Sequence, residues 1–364
     1  MKRRDEAAGD APPDVPSLST GVTREGLIYD ADHAVLAKGL TRRGFLKVSA
    51  LTGATLVVAP SMGSLGSLVR PTSALAAASE FTFAIIADSH TMGAKNPRMK
   101  TRLEAAVNEV NALKPAPDFV MYMGDAVHDG SVEQFKYFQE IMAALKPKVY
   151  YIPGEHDWYL DMGEYYQKTF VKGQVPYSFD HKGTHILALN GINFNDFWSS
   201  RKLSPEERMG VAGTLNHSMP GPFMLGKAQL DWMEKDLSKV SKETPIFVFT
   251  HPPLYHYYRP WNFWTEDAPE AHAILKPFQN VQVFHGHVHQ VVQNQIANMK
   301  FMSSVSTSWP HPYPETYQTL GLKGQMPRSN PALPFDGLGW SNNKVMGGAV
   351  THEDVLWTLR PPKV

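Results

Sequence analysis

The chain has no cysteine, no net charge and no long apolar run. Without cysteine there are no disulfides, no thiolate metal ligands and no cysteine nucleophile. With 35 basic and 35 acidic residues there is no whole-molecule positive field to gather nucleic acid. The most apolar part of the N-terminal region, Val48 to Pro60, is interrupted by Gly and Thr. It is too short to cross ~30 Å of hydrocarbon, which takes ~20 residues, so no stable membrane span is expected. What remains is an ordinary globular composition of 364 residues, 43% of them hydrophobic, enough to bury a sizeable core.

The N-terminal region carries an address. Thr41-Arg42-Arg43-Gly44-Phe45-Leu46-Lys47 resembles the twin-arginine export signal. It precedes that mildly apolar stretch and then Ser73-Ala74-Leu75-Ala76, a small-residue cleavage site. Residues 1–76 are therefore expected to be a disordered leader and signal peptide. The twin-arginine translocase is the expected partner and the periplasm or exterior the expected destination. The leader holds 9 Lys and Arg against 7 Asp and Glu, leaving 26 against 28 in the expected single domain, 77–364.

Within that domain, apolar runs alternate with helical periods. Strands are expected at 81–87, 118–123 and 148–152, and helices at 98–113 and 132–145. This β-α-β-α-β order argues a largely parallel sheet. Later come a hairpin turning at Lys182-Gly183, a helix at 226–237, and strands at 245–250, 281–284, 296–304 and 355–359. The Pro- and Gly-rich stretches 193–222 and 309–346 read as loops.

Most of these strands run directly into metal-ligand residues. The segments are Asp88-Ser-His90, Gly124-Asp125, Gly154-Glu155-His156-Asp157, His251-Pro-Pro253 and Gly286-His287-Val-His289. Carboxylates and imidazoles suit divalent and trivalent cations, and ligands at the carboxyl ends of strands are where open α/β sheets build sites. Each segment alone is a weak signal; the ordered set is a strong one.

The set resembles the calcineurin-like metallophosphoesterases, whose pattern is Asp-x-His, Gly-Asp, Gly-Asn-His-(Asp/Glu), His and Gly-His-x-His. The resemblance runs from residue 81 to about 305. It implies a four-layer α/β/β/α sandwich of two mixed β-sheets flanked by helices. It also implies two divalent or trivalent metal ions, drawn from Fe, Mn and Zn. One is expected on Asp88, His90, Asp125 and His289, the other on Asp125, Glu155, His251 and His287, with Asp125 bridging. The activity implied is hydrolysis of a small phosphomonoester or phosphodiester by a hydroxide bridging the metals. His156 is expected to stabilise phosphoryl charge and to protonate the leaving oxygen, oriented by Asp129 or Asp157. Asp157 can equally cap the following helix.

Two departures stand out. Glu155 replaces the family asparagine and adds a negative charge, and His128 occupies a position where many relatives have Asp. His128 can ligate a metal or pair with His156. The aromatic run after His251 offers Tyr255, Tyr257, Arg259, Trp261 and Trp264 as substrate contacts, with self-packing of the loop as the equal alternative. Phe194, Phe197 and Trp198 are candidates for the same rim. A metal- or ligand-binding protein without hydrolysis is the competing functional class. A nuclease gains little support from a mature chain without a basic stripe.

Overall fold

The computed structural model describes residues 79–172, 175–192, 203–215, 223–313, 329–330 and 332–363. The expected leader, Phe194, Phe197 and Trp198 lie outside them. The described residues belong to one compact unit, Arg70–Val364.

Two mixed sheets form the centre. The first is built from β1 (Phe81–Ile86), β2 (Phe119–Tyr122), β3 (Lys148–Tyr151), β10 (Gly339–Met346) and β11 (Ala349–Leu356), in the order β11-β10-β1-β2-β3. Strands β1, β2 and β3 run parallel, and β10 pairs antiparallel with β1. The second sheet holds β4 (Tyr177–His181), β5 (Thr184–Ala188), β6 (Ile246–Thr250), β7 (Val281–His285), β8 (Gln293–Ile296) and β9 (Met299–Ser303), in the order β4-β5-β6-β7-β9-β8. Its four inner strands are parallel and its two edges antiparallel.

The helices follow from capping and periodicity. Helix α1 (Pro97–Ala112) starts at Asn96, whose side chain accepts from the Arg98 amide, with proline in its first turn. Helix α2 (Val132–Met142) is capped by Ser131. The short α3 (Glu155–Trp158) and α4 (Glu164–Phe170) follow β3. Helix α5 (Pro205–Ala212) opens with a reciprocal Ser204–Glu207 capping box. Helices α6 (Lys227–Leu237) and α7 (Ala268–Leu275) cover the second sheet.

The period of two explains why the parallel strands read as unbroken apolar runs: both faces are buried. From β1, Phe81, Phe83, Ile85 and Ala87 turn toward the second sheet, meeting Ile186, Phe247, Phe249 and Phe284. Ala84 and Ile86 turn the other way, toward α1 and α2. Phe83 stacks on Phe119 with centroids 5.1 Å apart and meets Phe284 edge-on at 5.4 Å. The two sheets are thus locked face to face by aromatic packing.

One expected loop is wrong in part. The stretch 309–346 contains β10, which lies beside β1 in the first sheet. Ser341, Asn342 and Asn343 have poor strand propensity, and Ser341 and Asn343 are nevertheless buried there. Their polar groups are used: Ser341 bonds Asp354, and Asn343 donates to the Phe83 carbonyl. The last strand, β11, also begins at 349 rather than 355.

Candidate metal centre

The ligand-bearing turns sit at the carboxyl ends of β1, β2, β3, β6 and β7, and they converge. Asp125, Glu155, His251 and His287 bring donor atoms within 4.8 Å of one another, as do Asp88, His90 and His289. All seven side chains are buried. Asp125 joins the groups, since its Oδ2 lies 3.4 Å from His90 Nε2 and 3.3 Å from His251 Nε2. On the second-group side Glu155 reaches both imidazoles, with Oε1 2.9 Å from His287 Nδ1 and Oε2 3.1 Å from His251 Nε2. On the other, His289 Nε2 lies 3.3 Å from Asp88 Oδ1 and 3.4 Å from His90 Nε2.

The backbone is bent to make this possible. Asp88, His90, Asp125, His287 and His289 all have φ between 41° and 63°. That left-handed region is costly for residues other than glycine, and such residues cluster at functional sites. Close approach also demands glycine at specific points. A Cβ on Gly154 would fall 2.1 Å from Asp125 Oδ1, and one on Gly124 2.6 Å from His251 Nδ1.

Main-chain groups fix the ring orientations. His251 Nδ1 lies 2.6 Å from the Met123 carbonyl, and His289 Nδ1 2.6 Å from the Trp309 carbonyl. A carbonyl only accepts, so each Nδ1 carries the proton and each Nε2 presents a lone pair to the site. The carboxylates are held likewise: the His287 amide donates to Asp88 Oδ1 and the His156 amide to Asp125 Oδ1.

The donors fit metal ions. Asp88 Oδ2, Glu155 Oε2, His251 Nε2 and His287 Nε2 are buried without a hydrogen-bond partner. Glu155 Oε2 and His251 Nε2 are near one another but out of line for a hydrogen bond. Buried polar atoms without partners are costly unless a cation satisfies them. The electrostatics agree. Burial works to raise the Glu155 carboxyl, but the charges of His287 and His251 hold it well below the usual carboxylate range. Burial works against a proton on His251, yet Asp125 and Glu155 lift its imidazole well above the ordinary value. His90 is pushed well down by burial and by the neighbouring imidazoles of His156, His289 and His128. Asp125 and Glu155 thus favour positive charge at His251, the charge a metal supplies when it displaces that proton.

The expected catalytic residues separate. His156 is buried beside the first group, its ring edge-on to His90 at 4.6 Å. Its Nδ1 donates to the His128 carbonyl at 2.6 Å. That carbonyl, not Asp129 or Asp157, orients the ring. Asp157 accepts from the Ala126 and Val127 amides through Oδ1 and from Gly154 through Oδ2. It ties the β2 turn to the β3 turn and closes the first turn of α3. Burial, with the nearby Asp125, pushes its pKa up to about 8, while the Gly154 and Val127 amides and the charge of His251 act in the opposite direction. Asp129 is half exposed and takes the Gln134 amide. His128 stands beside His90 and stacks on His156.

The aromatic run divides as well. Tyr255 is buried in the second sheet's outer core, its ring edge-on to Phe301. Trp264 is buried too, under the Arg259 guanidinium at 4.2 Å, and donates to the Arg259 carbonyl. Tyr257 donates to Gln290 and lies parallel to Phe263; Trp261 packs edge-on against Tyr258 and Phe263. These contacts pack the loop on itself and against the second sheet. The residue of this run that reaches the metal centre is Phe263, 5.4 Å from the His287 ring.

Other residues at the site were not expected from the sequence. Trp309 lies over His90 with centroids 4.3 Å apart, and His311 stacks on His289 at 4.4 Å. Phe223 meets His287 edge-on at 4.9 Å. Trp309 follows the buried run Ser303–Ser308, which bonds back to the β1 turn: Ser306 Oγ donates to the Asp88 carbonyl. A cavity of about 70 Å³ opens here, lined by the two histidine groups, Trp309, His311 and the end of α5. Arg208 of α5 donates to the Tyr159, Leu160 and Leu203 carbonyls, strapping that helix beside α3.

Known proteins share the family and the fold. Residues 81–291 match the calcineurin-like phosphoesterase family. A 3',5'-cyclic-nucleotide phosphodiesterase of Nostoc is 21% identical over 254 residues, covering 68% of this chain and 85% of that protein. A probable glycerophosphodiester phosphodiesterase of Arcobacter nitrofigilis is 28% identical over 40% of this chain and 45% of its own length. A 3',5'-cyclic adenosine monophosphate phosphodiesterase of Haemophilus influenzae is 26% identical over 52% of this chain and 61% of its own. Among solved structures, a dimetal phosphatase from Danio rerio shares the fold, with a TM-score of 0.52 at 13% identity over 75% of this chain and 98% of that one. The chain belongs to the calcineurin-like phosphoesterase family and is a hydrolase acting on ester bonds.

Proposed function

We propose that the protein is an exported phosphoesterase with a dinuclear metal centre, acting on small phosphodiesters in preference to monoesters. The observation that carries the centre is Asp125, whose Oδ2 lies between an imidazole of each donor group. Asp88, His90, Asp125 and His289 would hold one metal, and Asp125, Glu155, His251 and His287 the other. Bound there, such a pair supplies Lewis acidity and a water made nucleophilic at neutral pH. The chain does the rest. His156, with Nδ1 committed to the His128 carbonyl, keeps Nε2 for a phosphoryl or leaving oxygen. Trp309 and His311 cover the imidazoles and limit water. Glu155 adds a third carboxylate, which favours iron or manganese over a softer ion. The diester preference rests on the named activities of the three relatives.

The twin-arginine motif at 41–47 supports export to the periplasm or beyond, and among the described residues no helix is long and apolar enough to cross a membrane. Fusing residues 1–80 to a fluorescent protein that folds before export tests it; fluorescence retained in the cytoplasm, or export unaffected by Arg42→Lys with Arg43→Lys, rejects it. For the activity, protein stripped by chelator and reloaded with manganese or iron should release nitrophenol from bis-nitrophenyl phosphate faster than from nitrophenyl phosphate. Fully loaded protein inert on both would leave a metal-binding protein of the same fold.

A further inference from the structure

His128 is the ring at this site whose role neither donor group accounts for. Its Nδ1 lies 3.4 Å from Nδ1 of His90. Its face stacks on His156, with centroids 4.9 Å apart and planes 19° from parallel. Its backbone is fixed independently: the amide donates to Gln134 Oε1 and to the Thr91 carbonyl, and the carbonyl receives His156 Nδ1. The side chain is half-buried and lines the cavity.

Tautomers decide what such a contact means. His90 turns Nε2 toward Asp125 and His289, the edge that would meet a metal. An imidazole that gives the Nε2 lone pair to a metal carries its proton on Nδ1. That N–H points at His128 Nδ1, which must then be the acceptor, so the His128 proton sits on Nε2, the opposite edge of the ring. We propose that His128 is a positioning residue with two jobs, resting on the phosphoesterase reading. Its Nδ1 holds His90 in the metal-binding tautomer. Its Nε2–H, belonging to a neutral ring, donates to a phosphoryl oxygen of the substrate in the cavity. The alternative is a further metal on His90, His128 and His156, whose donor atoms are close enough. It would require His90 to bind metals through both nitrogens at once, so the hydrogen-bonded arrangement is the simpler one.

Two amide replacements separate the two edges. The Asn oxygen falls near Nδ1, and the Gln nitrogen near Nε2. His128→Asn, His128→Gln and His128→Ala are compared with the unaltered protein by manganese affinity against a competing chelator, and by calorimetric binding of inorganic phosphate to the fully loaded forms. The expected result is a crossed pattern. Gln weakens manganese by about 10- to 100-fold, as loss of a ligand's orienting partner does, and spares phosphate. Asn spares manganese and weakens phosphate by roughly tenfold. Ala loses both. Equal loss of manganese in Asn and Gln would make His128 a direct ligand and overturn the proposal. Phosphate affinity unmoved by Asn would overturn it too. If the unaltered protein holds neither manganese nor iron, the parent reading falls and takes this one with it. If it holds either and the crossing is absent, only the role of His128 falls.

Discussion

The two sheets are joined at both ends, and the two joints are made differently. At the carboxyl ends of the parallel strands, seven buried donors converge: Asp88, His90, Asp125 and Glu155 from turns of the first sheet, and His251, His287 and His289 from turns of the second. At the opposite end, Asp118, just before β2, meets Lys182 and His181 of the β4–β5 hairpin at 2.5 and 3.2 Å. One joint is buried and set on left-handed backbone. The other is partly open to water, complete in itself and screened. The comparison teaches that bridging two layers needs no special chemistry; the strain and the orphaned donors at the first joint mark it as functional.

The largest break in this contrast should come from Asp125→Ala, which removes the atom shared by both donor groups. Both metals should be lost on elemental analysis. Turnover should fall by several kcal/mol of transition-state stabilisation, on the order of a thousandfold. His287→Ala takes one neutral donor from one group. One metal per chain should persist, and retention of two would refute the assignment of His287. Gly154→Ala adds a methyl against Asp125 Oδ1 without straining the backbone, since Gly154 has φ of −105°. The cost should be about 1–3 kcal/mol in a thermal or denaturant melt, with weaker metal retention alongside. Asp118→Asn should do least, within about 1 kcal/mol at neutral pH, because the pair is exposed enough to be screened. Its pH dependence has a definite sign. Burial works to raise the Asp118 carboxyl, but Lys182, the Thr82 amide and His181 bring it below its ordinary value. A depressed carboxylate stabilises the fold above its unfolded pKa and loses that contribution as pH falls through the folded one. The Asn penalty should therefore fade below about pH 4; a penalty that grows in acid would contradict the ion pair.

The same contrast explains what could be read in advance. Buried parallel strands announce themselves as apolar runs, and a carboxylate or histidine straight after such a run has few other uses. Hence 81–88, 118–125 and 245–251 gave both strand and ligand. β10 was missed because Ser341 and Asn343 are buried polar residues whose partners lie far off in sequence. The aromatic run after His251 left packing and substrate contact equally open because ring type does not say which way a ring faces: Tyr255 and Trp264 turn into packing, and Phe263 lies against the His287 ring. Trp309 and His311 sit on irregular backbone with no periodicity to betray them. Asp157 offered two roles by sequence, and its three amide donors decide for the cap.

Five of the donors occupy left-handed backbone, where glycine or asparagine would be more comfortable. Selecting variants of this enzyme for heat resistance alone should therefore enrich Gly and Asn at 88, 90, 125, 287 and 289, each step making the chain easier to fold and less able to hold a cation. Robustness and chemistry are set against each other at the same five α-carbons, so a screen for one must be run under demand for the other.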